Sequence, residues 1–228
     1  MSWLLTYARS TLGAKVIMAL TGAAMYGFLI VHMAGNLLVF AGPEYHNHHS
    51  LFLHQMPELI WPARFGLLAA VVGHIFSWLN LRSRSSAARP VAYKVKKSRA
   101  STLYSKTMSI SGPIVLAFIV VHLLQLTTGT LHPNFLLQGT TGVEADTPAA
   151  YENTIAILSQ PLWGVFYVVC NVLLGLHLWH GAFAMCRTLG LSGERQQGVA
   201  YALAGALTAT IIGGNVLIAS SILLGVVK

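Results

Sequence analysis

Charge is scarce in this chain. Only 9% of its 228 residues are Asp, Glu, Lys or Arg, and six of those are acidic. A water-soluble domain of this length carries far more ionic groups on its surface, so that class is excluded. Cysteine is almost missing too. Cys170 and Cys186 lie sixteen residues apart in one apolar segment, about 24 Å along a helix, and cannot bridge each other. Both read as small packing residues. There is no C-x-x-C-H, which excludes covalently attached haem. There is no cysteine cluster for an iron–sulfur centre and no glycine-rich dinucleotide fingerprint, so the chain has no dehydrogenase active site of its own. Period-two alternation is lacking in the apolar runs, which argues against a barrel. No internal repeat recurs at a fixed period.

What is plentiful is hydrocarbon. Hydrophobic residues make up 55% of the chain, and the mean hydropathy is +0.64. A helix needs about 20 apolar residues to cross a bilayer core of roughly 30 Å. Five stretches supply them, at about 14–40, 64–81, 109–130, 161–186 and 199–227. The expectation is an all-α integral membrane protein, one domain over 1–228, built as a five-helix bundle. The first run is too long for the core of a signal peptide and no small-residue cleavage site closes it, so no cleaved leader is expected.

The formal charge of +8 is unevenly spread. Arg82, Arg84, Arg89, Lys94, Lys96, Lys97, Arg99 and Lys106 crowd the connection between spans two and three. Arg9 and Lys15 precede or open span one, and Arg187 and Arg195 follow span four. The connections 41–63 and 131–160 have no Lys or Arg, and hold Glu44, Glu58, Glu144, Asp146 and Glu152. This is the positive-inside pattern rather than a nucleic-acid footprint. It predicts a multi-pass protein of the bacterial cytoplasmic membrane, with its N-terminus in the cytoplasm and its C-terminus outside. The basic loop is also a docking surface for an acidic cytoplasmic partner.

Local signals punctuate the spans. Ser10 or Thr11 can cap the first helix. Gly42-Pro43 ends it, Pro57 and Pro62 bracket the start of the second, and Pro113 is expected near the start of the third, where proline is best tolerated. Pro161 opens the fourth, and residues 189–193 (LGLSG) form a short cytoplasmic turn. Residues 46–60 read as a short interfacial helix and 131–160, with Gly139, Thr140, Thr141 and Gly142, as an irregular surface loop.

Ten histidines remain. His46, His48, His49, His54 and His132 fall in the outer connections, where solvent makes them cheap. A metal site at His46, His48 and His49 is the weaker use of them. His32, His74, His122, His177 and His180 lie inside spans, and each of the first four spans holds at least one. Imidazole is costly in hydrocarbon, and ionisable residues at membrane depth usually face the bundle interior and mark function. Depth sorts them. His32 is seventeen residues from Lys15 and His122 sixteen from Lys106, about 24–26 Å along a helix. His74 is eight from Arg82 and His177 ten from Arg187, about 12–15 Å. Two imidazoles facing each other at one level are what a six-coordinate haem iron takes, each with its second ring nitrogen on a carbonyl or side chain. Two irons held this way would lie roughly 12 Å apart, close enough for electron tunnelling. Gly35, Gly181, Gly129 and Gly66 share helix faces with these histidines and offer room for a porphyrin. His180, seven residues from Arg187, matches His74 as well as His177 does, and depth leaves the two open.

The stretches STLGAKVIMALTG and LIVHMAGNL in span one, SKTMSISGPIVLAFIVVHLLQLT in span three and LHLWHGAFAMCRTLG in span four carry a resemblance. The chain resembles the membrane-anchor cytochrome b subunit of succinate:quinone oxidoreductases (succinate dehydrogenase and fumarate reductase), in the single-subunit, five-helix, two-haem class. With the helix count, the likeness spans nearly the whole chain. It implies two haem b groups between the first four helices, with iron ligands His32, His74, His122 and His177. The first histidine of H-x-x-H-G is the family ligand, so the resemblance selects His177. His180 is then a residue bonding a propionate or lining a quinone pocket. It implies electron transport, linked to the tricarboxylic acid cycle, from an FAD-containing flavoprotein subunit through an iron–sulfur subunit to this anchor and on to quinone, with menaquinone expected. Those partners bind on the cytoplasmic face. Glu58 and His54 are the candidates for a quinone site near the outer haem, and Arg82, Lys106 and Arg187 for pairing with inner-haem propionates or for snorkelling. Two other readings compete: a di-haem cytochrome of a membrane hydrogenase or formate dehydrogenase, and a non-redox transporter with a histidine relay.

Overall fold

The computed structural model describes residues 2–89, 91, 103–132, 134–137, 147–191 and 193–228. Lys94, Lys96, Lys97, Arg99, Gly139, Gly142, Glu144 and Asp146, named above, lie outside the described residues. The described chain runs as α1 (Ser2–Arg9), α2 (Thr11–Asn36), a 3-10 turn (Leu37–Ala41), α3 (Pro43–His54), α4 (Pro57–Ala87), α5 (Leu103–Leu126), α6 (Ala150–Leu158), α7 (Pro161–Thr188) and α8 (Glu194–Leu223). Among the described residues there is no strand. Five helical stretches are long and apolar enough to cross a membrane, over Thr11–Ala41, Pro57–Ala87, Ser105–Leu126, Pro161–Thr188 and Arg195–Leu223. The protein is a multi-pass, all-helical membrane protein.

The spans start and stop for local reasons. Ser10 caps α2, its hydroxyl accepting the Gly13 N–H at 3.0 Å, which satisfies one of the orphan donors of the first turn. Gly42 ends the first span with φ +102°, a conformation open mainly to glycine. Proline behaves differently from expectation in two spans. Pro62 does not stand before α4 but inside its second turn, and Pro113 sits eleven residues into α5 rather than near its start. Long apolar helices tolerate such breaks because neighbouring groups take up the freed carbonyl.

Two expectations for the connections change. The interfacial helix starts earlier than predicted, at Pro43, and stops at His54 before the break at Met56. The outer loop contains a helix, α6, whose Tyr151, Ile157 and Leu158 are buried. Those side chains cover Val39 and the α7–α8 ends in one apolar cluster with Tyr167, Ile218 and Ile222.

Helix α2 packs on α4, α7 and α8, α7 packs on α8 and α5, and α3 meets α6 over one end of the bundle. That end is called here the α3/α6 end, and the opposite one the basic end. At the basic end the Arg84 guanidinium donates to the Arg9 carbonyl and Arg82 to the Ser109 hydroxyl at 3.4 Å. Outward faces are apolar, with Val31, Phe76 and Leu162 among the most exposed side chains. Such a belt suits lipid, not water. Cys170 and Cys186 are buried and unbridged.

Candidate functional site

The bundle interior holds two histidine pairs. In the first, His32 of α2 faces His122 of α5, ring centroids 5.7 Å apart and planes nearly perpendicular at 88°. In the second, His74 of α4 faces His177 of α7 at 6.4 Å. His32 and His122 lie toward the α3/α6 end and His74 and His177 toward the basic end. His180 is half-buried and shares neither ring contact. Helix α8 carries no histidine and closes the bundle against α2 and α7.

The levels can be read from the packing. His74 rests on Met18 and Thr21 of α2, and His177 on Ser111 of α5. Thr21 is eleven residues before His32 and Ser111 eleven before His122, so the pairs lie about 16 Å apart along the helices. That is wider than the spacing inferred from the charged boundaries. Those boundaries sit at different heights on different helices.

The second nitrogens differ between the levels. His74 Nδ1 lies 3.1 Å from the Met18 carbonyl and 3.3 Å from Thr21 Oγ1. The Thr21 hydroxyl already donates to the Ile17 carbonyl at 2.7 Å. Both neighbours therefore accept, and Nδ1 carries the proton. The Nε2 lone pair is left bare. His177 Nδ1 lies 3.2 Å from Ser111 Oγ, a side chain only 3% exposed. At the other level the Asn36 amide donates to His32 Nε2 at 3.1 Å, while His122 Nδ1 is buried with no hydrogen-bond partner. Phe28 stacks on His32 at 5.2 Å, and Phe118 and Tyr167 flank His122.

A bis-imidazole metal centre can be tested on these distances. Two imidazoles on opposite sides of one ion, each bonded at about 2.0–2.1 Å, set their ring centroids about 6.3 Å apart. The His74–His177 pair stands at 6.4 Å with one lone pair already bared, and fits. The His32–His122 pair is slightly closed at 5.7 Å, and ligation through His32 Nε2 must displace the Asn36 amide. Both donor sets are pairs of imidazoles. Among the described residues no group of three or more His, Cys, Asp or Glu gathers as a metal site, so the alternative cluster of His46, His48 and His49 does not form.

The remaining candidates scatter. Glu58 and His54 are exposed, and His54 Nδ1 is engaged with the Ser50 carbonyl at 2.8 Å. Neither lines the groove that opens among α3 and the 3-10 turn. That groove, of about 490 Å³, lies among Leu38, Glu44, Tyr45, His48, His49 and Phe52, within the size range of small-molecule sites. His49 packs so tightly on Gly35 that a Cβ there would come within 2.7 Å of its Nε2. Gly35 thus makes room for His49, one turn from His32. Gly129, at φ +71°, is a turn residue against Phe135, while Gly66 and Gly181 border open space. Arg187 donates to the Tyr201 hydroxyl and lies over its ring at 5.5 Å. Lys106 is exposed.

Two histidines assigned to solvent are in fact buried. His46 is 6% and His132 7% exposed, beneath the cap formed by α3 and α6. His132 Nδ1 accepts the Asn134 N–H and its Nε2 donates to the Asn153 carbonyl. The cap is tied by Asn47, fully buried, which donates to Glu152 Oε2 at 2.9 Å and accepts the Tyr151 N–H at 2.8 Å. The hydrophilic run HNHH hides this, because its helix turns Asn47 and His46 inward.

Fold and geometry together define a class: a polytopic helical membrane protein with two interior histidine pairs at two depths. Comparison with protein families, curated proteins and solved structures finds no match.

Proposed function

We propose that the chain is a di-haem cytochrome b that anchors a succinate dehydrogenase or fumarate reductase to the membrane and links its iron–sulfur subunit to quinone. One haem b is gripped by His32 and His122, the other by His74 and His177. The observation that carries the reading is the facing of two imidazole pairs, each from two different helices, at two levels of one bundle. A proton relay would instead step gradually through the membrane, so the pairing disfavours a transporter. When bound, each haem supplies a one-electron couple.

The chain's own residues do the rest. Met18 and Thr21 hold the proton of His74 on Nδ1 and leave Nε2 to bind metal. The apolar outer faces of the helices keep the interior in lipid, away from water. The basic end faces the cytoplasm and receives the iron–sulfur and flavoprotein subunits. Quinone, menaquinone in our reading, takes the groove beside His32. There Tyr45 and Phe52 offer apolar walls, and Glu44, His48 and His49 exchange protons with the outer aqueous phase. Glu58 and His54 do not line this groove.

The test is a reduced-minus-oxidised spectrum with haem quantitation on the purified chain. About two b-type haems per chain are expected. His32→Ala and His122→Ala should each lose the same haem, His74→Ala and His177→Ala the other, while His180→Ala keeps both. A colourless wild-type protein overturns the proposal.

A further inference from the structure

The two helices that provide His32 and His122 also touch the other pair, and they do so with the same two-residue device. Helix α2 reads TGAAMYGFLIVH from Thr21 to His32, and α5 reads SGPIVLAFIVVH from Ser111 to His122. Each is a hydroxyl residue, a glycine, nine residues and a histidine. In each, the hydroxyl meets Nδ1 of a histidine on a neighbouring helix: Thr21 to His74 at 3.3 Å and Ser111 to His177 at 3.2 Å. In each, the glycine lies against the same imidazole. A Cβ on Gly22 would stand 3.5 Å from His74 Cε1, and one on Gly112 would stand 3.7 Å from His177 Cε1. The side chain that the glycine lacks would fill the space beside the ring.

We infer that Thr21 and Ser111 are positioning residues for the metal-binding nitrogens of His74 and His177. Their hydroxyl oxygens accept the Nδ1 proton, which fixes the tautomer and turns both Nε2 lone pairs toward the interior between the two rings. The inference rests on the two-haem reading above. The pair His32–His122 lacks the device: His32 Nε2 is bonded by Asn36, from His32's own helix, and His122 Nδ1 has no partner. The two levels therefore differ in ligand character. An Nδ1–H that donates to oxygen enriches Nε2 and favours the oxidised metal, so removing the acceptor raises the reduction potential. At His74 the Met18 carbonyl backs up Thr21. At His177 no second partner is seen among the described residues, so Ser111 carries more of the effect.

The test uses the full chain in membranes with Ser111→Ala, Ser111→Thr, Thr21→Val and Thr21→Ser. Midpoint potentials of the two haems are read by optical titration, and the low-spin ferric signals by electron paramagnetic resonance. Ser111→Ala should keep both haems and raise one midpoint by up to a tenfold change in the reduction equilibrium, 59 mV for one electron. The affected haem should be the one lost in His177→Ala. Ser111→Thr should restore it, and Thr21→Val should move the same haem less, with Thr21→Ser restoring it. If Ser111→Ala does not assemble, Thr21→Val decides by the same readout. Unchanged midpoints and signals in both variants, or a shift confined to the other haem, overturn the inference. A wild type without haem is a different result and refutes the underlying reading instead.

Discussion

His46 shows how one side chain can tie stability to acidity. Its ring is buried under the α3–α6 cap, against Tyr151 at 6.2 Å, and its Nδ1 has no hydrogen-bond partner. Burial lowers its pKa to about 4, with His49 and His32 adding repulsion and Glu152 opposing them. The unfolded chain takes up a proton near the ordinary histidine value of about 6.5, whereas the folded chain resists until about 4. Its stabilising contribution is thus whole above pH 6.5 and is lost as pH falls through that interval. The loss is about 2 kcal/mol between pH 7.5 and pH 5. Thermal unfolding of the detergent-solubilised protein at the two pH values measures it. His46→Gln, which cannot take up the proton, should flatten the difference. An equally steep pH dependence in the variant would refute the argument.

Between helices, polar side chains do what apolar ones cannot in lipid, since hydrocarbon gives packed helices no hydrophobic drive toward each other. The Tyr26 hydroxyl joins α2 to α8 through the Ala204 carbonyl at 3.1 Å and Thr208 at 2.8 Å. The Tyr167 hydroxyl joins α7 to α5 by donating to Gln125 Oε1 at 3.0 Å. Gln125 is fully buried and its Nε2 is already unpartnered. Tyr167→Phe should therefore cost about 0.6–2 kcal/mol, the range of interhelical hydrogen bonds in membranes. Reversible unfolding in mixed micelles would read it, and a neutral effect would mean the bond adds nothing to α5–α7 packing. These elements also mark how far the sequence could be read. Five spans follow from apolar length alone, and the facing of His32 with His122 follows from depth counted off the charged boundaries, whereas depth left His177 and His180 equally matched to His74 and only the resemblance pointed to His177. Helix α6 was missed because its signal, AYENTIAIL, is nine residues with three polar ones, Glu152, Asn153 and Thr154, in the middle, too short for periodicity to separate from a loop. Thr21 and Ser111 were missed because hydroxyls in membrane helices ordinarily bond their own preceding turn. Their shared spacing to His32 and His122 is the signal that was there to find. The groove beside His49 brings together side chains from the 3-10 turn and α3, and no single-span pattern foretells it.

At the scale of the whole molecule the remaining question is which end faces the cytoplasm. Arg9, Arg82 and Arg84 meet at one end of the bundle, where Arg84 reaches the Arg9 carbonyl. Glu44 and Glu152 lie at the other, with Lys228 held there by the Tyr151 hydroxyl on its carbonyl at 2.7 Å. Lys and Arg near span ends are retained on the cytoplasmic side, and short connections obey this rule most strictly. Glu44 is in α3 and Glu152 in α6, and the sequence 41–63 and 131–160 holds no Lys or Arg, while Arg64 in the second turn of α4, over the Trp61 ring, and Lys228 are opposing cations at this end. The expected arrangement puts the His74–His177 pair on the cytoplasmic side and the groove outside, the order that the proposed electron path requires. Paired reporters check it. Alkaline phosphatase fused after Lys228 should be active and a green fluorescent protein at the same place dark. Fusions after Ala87 should give the reverse. If the fusion after Lys228 fluoresces and the one after Ala87 has phosphatase activity, the bundle is inverted. The groove would then open to the cytoplasm, and the proposed docking of partner subunits at the basic end would fail.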